Sequence, residues 1–204
     1  MADFIPGLTL SRNYFDRMVA PIVDDVLPGI PYAAALVGDG SEVQGFDTER
    51  SRDHDWGPRV QLFFGRDQVA QAQALLSAPL AARLPREFEG HSTQYHRGNT
   101  SQPSGPWRMG EIVRGVEIHE PGHWVHSYLG VDPRRDMSVG DWLAMPWTLL
   151  CGVTGGAIWR DDSGELSRVR AAVKWTQRIS GDTSLPVNGS GSTRRSPLSG
   201  APLR

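Results

Sequence analysis

Residues 40–64 read GSEVQGFDTERSRDHDWGPRVQLFF. The stretch opens on a Gly-Ser turn, Gly40-Ser41, just after the apolar run YAAALVG. Asp53 and Asp55 follow, one on each side of His54, and the chain then enters the apolar run RVQLFF. A turn rich in backbone N–H donors suits a phosphate. Two carboxylates two residues apart on an extended chain point to one face. Such a pair is suited to holding Mg2+ against a triphosphate, which is what nucleotidyl transfer requires. His54 points to the opposite face and reads as structural.

Working outward, YAAALVG reads as a short buried strand and RVQLFF as a second. Before them, residues 9–26 carry Leu10, Tyr14, Met18, Ile22 and Val26 at helical spacing, with Pro21 expected to kink or split the helix. After them, residues 67–84 read as a helix with Asp67 as N-cap and Pro79 as an interruption. Residues 87–114 read as a long irregular surface loop. GVEIHE is a strand candidate. HWVHSYLG and SVGDWLAMPWTLL are helical, the second with Ser138 as N-cap and Asp141 at the capping-box position. GAIWR reads as a last strand and GELSRVRAAVKW as an amphipathic helix. The pattern is that of an α/β (α+β) chain, a small mixed sheet flanked by helices.

A metal site of this kind needs a third carboxylate. Glu117 is the candidate, because Val116 and Ile118 flank it in an apolar strand where an unpaired carboxylate is costly. Metal ligation or a role as base explains the placement; a strand whose Glu faces water is the alternative. Arg50, Arg52 and Arg59 lie near the turn; one could clamp a phosphate, but loop arginines are usually solvated or paired with nearby acids such as Asp47 and Glu49. His91 and His96 have no further ligands close by and read as structural. Trp107, Trp124, Trp142 and Trp147 read as packing residues. Asp161-Asp162 reads as a solvated turn.

The order of strand, Gly-Ser turn, spacer and Asp-x-Asp resembles the nucleotidyltransferase fold of the DNA polymerase beta superfamily. That resemblance covers roughly the first half of the chain. It implies that Gly40 and Ser41 bind the triphosphate and that Asp53 and Asp55 hold metal, with Glu117 matching the third-carboxylate strand. FIPGLTLSRNYF, GSEVQGFDTERSRDHDWGPR, GVEIHEPGHW and DWLAMPWTLLCGVTGGAIW together resemble an uncharacterised bacterial family, the domain of unknown function 4037. The match runs from about Phe4 to Trp175 and implies a nucleotidyltransferase-like fold. The domain reading is a core over 1–130, the start of a helical C-terminal region over 131–175, and a tail over 176–204.

Bulk properties narrow the function. The chain has 204 residues and a formal net charge of −2. That charge leaves no basic footprint for wholesale nucleic-acid binding and no polybasic membrane anchor. No segment is long and apolar enough to span a bilayer. The start of the chain lacks the pattern of a signal peptide, and its single cysteine, Cys151, fits a reducing cytoplasm and reads as a small core residue.

After Trp175 the composition shifts to Gly, Ser, Pro and Arg, which predicts disorder. Restoring one base after the Trp175 codon allows the peptide WYPEDIWRYLAACQWQRIDQEEPFVGRA, which is helical and aromatic and resembles the family's continuation. The tail is therefore expected to be an out-of-frame product.

The expected activity is Mg2+-dependent transfer of a nucleoside monophosphate from a nucleoside triphosphate, with two metal ions, to a small-molecule acceptor. The rival expectations are a non-catalytic nucleotide-binding or regulatory module, and an inactive fragment truncated at the tail.

Overall fold

The computed structural model describes residues 4–48, 56–94 and 115–175. Asp53, His54, Asp55, Arg50, Arg52, Glu49, His96, Trp107 and the tail over 176–204 lie outside the described residues.

The structure is mixed helix and strand around a small mixed sheet. Four strands form it: β1 (Tyr32–Leu36), β2 (Val60–Phe64), β5 (Val116–His119) and β6 (Ala157–Asp161). Their order is β5-β2-β1-β6. β1 runs antiparallel to both β2 and β6, while β5 runs parallel to β2. All five β1 residues are buried, and three of them are alanines. Small side chains on the inner strand let helices cover both faces of the sheet.

Period-2 alternation divides the sheet's side chains between two cores. Tyr32, Ala34, Val60, Leu62, Phe64, Val116 and Ile118 join one core. Its cover is α1 (Gly7–Tyr14), a π-helical turn (Phe15–Val19), α2 (Ala20–Val26) and α4 (Val69–Arg83). Ala33, Ala35, Val37 and Phe63 join the other. That side is covered by α5 (Pro121–Leu129), α7 (Trp147–Thr154) and α8 (Glu165–Ala172), the last continuing as a 3-10 turn (Val173–Trp175). Between them lie α3 (Ser41–Gln44) directly after the Gly-Ser turn and α6 (Val139–Ala144).

The helix expected over 9–26 forms from Gly7 onward, and its split takes a specific shape. Pro21 lacks an N–H, and the turn just before it widens so that Ala20 N–H donates to the Phe15 carbonyl, five residues back. Two expectations at α4 are corrected. Its N-cap is Gln68, not Asp67, because Gln68 is already in the right-handed helical region and is bonded to Gly65 by a turn. Pro79 lies inside the helix without ending it. The carbonyl that loses its usual helical N–H donor belongs to Leu75, a residue 45% exposed.

The loop expected from residue 87 begins instead with a hairpin. β3 (Glu87–Phe88) pairs with β4 (His91–Ser92) across Glu89 and Gly90, at φ +50° and +80°. Two positive φ values in succession make the primed turn that suits strand twist. At α6 the capping box is present as expected, with Ser138 and Asp141 bonded reciprocally. Among the described residues no helix is long and apolar enough to cross a membrane.

Candidate functional site

The Gly-Ser turn leaves the end of β1 and is braced from three sides. Gly38 N–H donates to the Gly152 carbonyl at 2.9 Å. A Cβ on Gly152 would stand 2.6 Å from Tyr128 Oη and 2.7 Å from the Gly38 carbonyl oxygen, so α7 touches this loop only because residue 152 has no side chain. Tyr128 Oη donates to Asp39 Oδ1 at 2.7 Å, and its ring stacks on Trp124 with centroids 5.2 Å apart. Burial pushes the Tyr128 phenol well above its ordinary pKa, and the Asp39 carboxylate beside it pushes the same way.

The third brace is ionic. Arg59 Nη2 donates to Glu42 Oε1 at 2.5 Å and to the Asp39 carbonyl at 3.1 Å. The guanidinium lies against Gly40: a Cβ there would meet Arg59 Nη2 and Glu42 Oε2, both at 2.6 Å. Gly40 also has φ +131°, outside the range of ordinary L residues. The Glu42 side chain is only 1% exposed. Its Oε2 and the Ser41 hydroxyl are buried, with no hydrogen-bond partner among the described residues. Arg59 is thus held by an acid, but by Glu42 rather than Asp47. Asp47 instead accepts from Gly7 N–H at 2.5 Å and from Trp56 Nε1 at 3.0 Å. His91 rests edge-on against Trp56.

Glu117 sits on β5, at one edge of the sheet. Val116 and Ile118 point into the first core, so Glu117 and His119 project from the opposite face. Register aligns Ala35 with Gln61 and Gln61 with Glu117. Gln61 Oε1 accepts from Val37 N–H at 3.0 Å, which ties the exit of β1 to the strand beside Glu117. Two strand spacings separate Glu117 from Ala35, about 10 Å. The Glu117 side chain is 31% exposed, and its Oε2 lies 2.8 Å from His119 Nε2. His119 is 11% exposed and packs against the Phe63 ring.

The fold therefore brings Gly40, Ser41 and Glu117 to one end of the sheet. The chain re-enters that end at Trp56, because Val60 pairs with Val116. Among the described residues no group of three or more His, Cys, Asp or Glu side chains is disposed to hold a metal. Glu42 and His119 are the site's members that sequence reading missed. His119 had a legible signal, since it stands two residues from Glu117 on a strand. Glu42 had none, because its partner is 17 residues away.

No family model, no curated protein and no solved structure matches this chain.

Proposed function

We propose that this chain is a metal-dependent nucleotidyltransferase of the DNA polymerase beta type, akin to the domain of unknown function 4037. It would transfer a nucleoside monophosphate from a nucleoside triphosphate to a small-molecule acceptor. The observation that supports this reading is the register Ala35–Gln61–Glu117, with a strand carboxylate two strands away from β1 at the end of the sheet where the Gly-Ser turn leaves. The turn, its antiparallel return strand and the carboxylate strand then share one end of the sheet, as the chemistry needs. The net charge of −2 favours a small acceptor over a polynucleotide.

In this reading Gly40 and Ser41 bind the triphosphate through backbone N–H groups and the hydroxyl. Asp53, Asp55 and Glu117 would hold Mg2+, whose chemical contribution is to neutralise phosphate charge and steady the entering and leaving oxygens. The acceptor oxygen attacks the α-phosphorus, the α–β bond breaks, and pyrophosphate leaves. Glu117 takes the acceptor's proton or serves as a ligand. Arg59 neutralises Glu42, so the buried carboxylate beside Gly40 does not repel phosphate.

The second reading is nucleotide binding without turnover. The test is label transfer and pyrophosphate release from each nucleoside triphosphate with Mg2+ and a metabolite extract. It is run on this chain, on the chain with the frame restored after Trp175, and on Asp53→Asn and Glu117→Gln in each. Transfer that is lost in both variants is expected. Triphosphate binding without transfer in either version supports the second reading. Activity in the restored chain alone marks the present one as an inactive fragment. Neither binding nor transfer in the restored chain refutes the proposal.

A further inference from the structure

We infer that His119 is a metal ligand alongside Glu117, and that the ion they take is a first-row transition divalent cation in preference to Mg2+. The inference rests on the reading of Glu117 as a ligand and deepens it. Three observations carry it. Glu117 and His119 stand two residues apart on β5 and project from the same face. The Glu117 side chain is 31% exposed, which leaves an approach from solvent, while His119 at 11% is held against Phe63.

The spacing is the third. His119 Nε2 and Glu117 Oε2 are 2.8 Å apart. Two ligands at about 2.1 Å from an ion and at right angles to each other lie about 3.0 Å apart. Tetrahedral ligands at the same distance would be about 3.4 Å apart. Both donors therefore stand within reach of one ion, which takes the place of the shared proton once the imidazole turns to aim its Nε2 lone pair at the ion rather than at Oε2.

The donor set decides the ion. Mg2+ takes oxygen ligands and keeps its waters, whereas an imidazole nitrogen favours the later first-row ions. One carboxylate with one imidazole should rank Co2+ and Zn2+ above Mg2+. Glu120 does not compete for the ion. It caps α5 by accepting from Gly122 and His123 N–H, and it pairs with Arg134.

The experiment titrates the full chain, without nucleotide, with Co2+ and separately with Mg2+. Calorimetry reads affinity, and the visible Co2+ bands report a nitrogen ligand. Co2+ should bind more tightly than Mg2+. His119→Gln keeps a side-chain donor for Glu117 but removes the basic nitrogen. It should weaken Co2+ by about tenfold or more and shift its bands, with Mg2+ little changed. Glu117→Gln should weaken both ions.

The inference is overturned if His119→Gln leaves Co2+ affinity and bands unchanged. It is also overturned if that variant weakens the two ions equally, which would make His119 only a hydrogen-bond partner of Glu117. His119→Ala, checked for folding by circular dichroism, must give the same Co2+ result. Because no nucleotide is present, the expected binding pattern without any label transfer would refute the proposed activity and leave the metal site standing.

Discussion

The Glu42–Arg59 pair gives the sharpest test of how the Gly-Ser turn is held. The Glu42 side chain is 1% exposed and that of Arg59 is 17% exposed. Removing one partner of a buried pair leaves the other charge without compensation, at a cost of about 3–5 kcal/mol. The two single variants should differ, because the charge left behind differs in its access to water. Arg59→Gln strands the Glu42 carboxylate, which already has one buried oxygen with no partner among the described residues, and should cost about 3–5 kcal/mol. Glu42→Gln removes the acid closest to the guanidinium. The guanidinium retains the Asp39 carbonyl and some solvent, so solvation reduces the cost to about 2 kcal/mol.

The double variant removes both charges at similar volume. A buried ion pair is often close to neutral against uncharged replacements, so it should cost about 1–2 kcal/mol, well below the sum of the singles. Urea unfolding followed by tryptophan fluorescence measures each stability by linear extrapolation, and similar slopes across the four proteins validate the comparison. Additive single effects, or an Arg59→Gln cost below about 1 kcal/mol, would refute the view that this pair is a desolvated unit bracing the turn.

Gly152→Ala should destabilise the protein by a net of up to about 2 kcal/mol in the same urea assay, because the added methyl meets the Gly38 carbonyl and Tyr128 Oη. That overpacking outweighs the helix-propensity gain of about 1 kcal/mol, and a stabilised variant would show that the contact relaxes freely. Tyr128→Phe should cost about 1.5–3 kcal/mol by removing the hydrogen bond to the Asp39 carboxylate. Burial raises the phenols of both Tyr128 and Tyr32 in the folded protein. Their contribution is therefore complete below the ordinary tyrosine value of about 10 and is lost as pH rises past it, because only the unfolded chain readily gives up these protons. Unfolding midpoints between pH 8 and pH 11 should fall only above about pH 10, more steeply in the parent than in Tyr128→Phe. Ser138→Ala should cost about 1 kcal/mol by removing the α6 cap, measured by thermal melting.

Local physics was readable along the chain. The apolar runs YAAALVG, RVQLFF and GVEIHE became β1, β2 and β5, because unbroken or alternating apolar residues form strands wherever both faces or one face will be buried. Ser138 and Asp141 made the box their spacing implied, since a cap depends only on residues three apart. Where the sequence reading missed, a neighbour or solvent had changed the balance. Pro79 stayed inside α4 although it removes one helical hydrogen bond, at the exposed residue Leu75, and exposure is not written in the spacing of the residues. The hairpin at Glu89-Gly90 was hidden because glutamate rarely takes positive φ.

For the candidate site the division is sharper. The sequence by itself determined that Gly40-Ser41 forms a turn after a buried strand and that Glu117 lies between two core residues, because strand periodicity dictates both. Only the tertiary structure decided that β5 runs parallel to β2, which carries Glu117 to the same end of the sheet as the turn. It also decided that Glu42 is buried and must have Arg59, and that Glu117 has His119. The physical reason is desolvation: a carboxylate taken out of water has to find a cation or a donor. Which one it finds depends on how strands and helices come together in space.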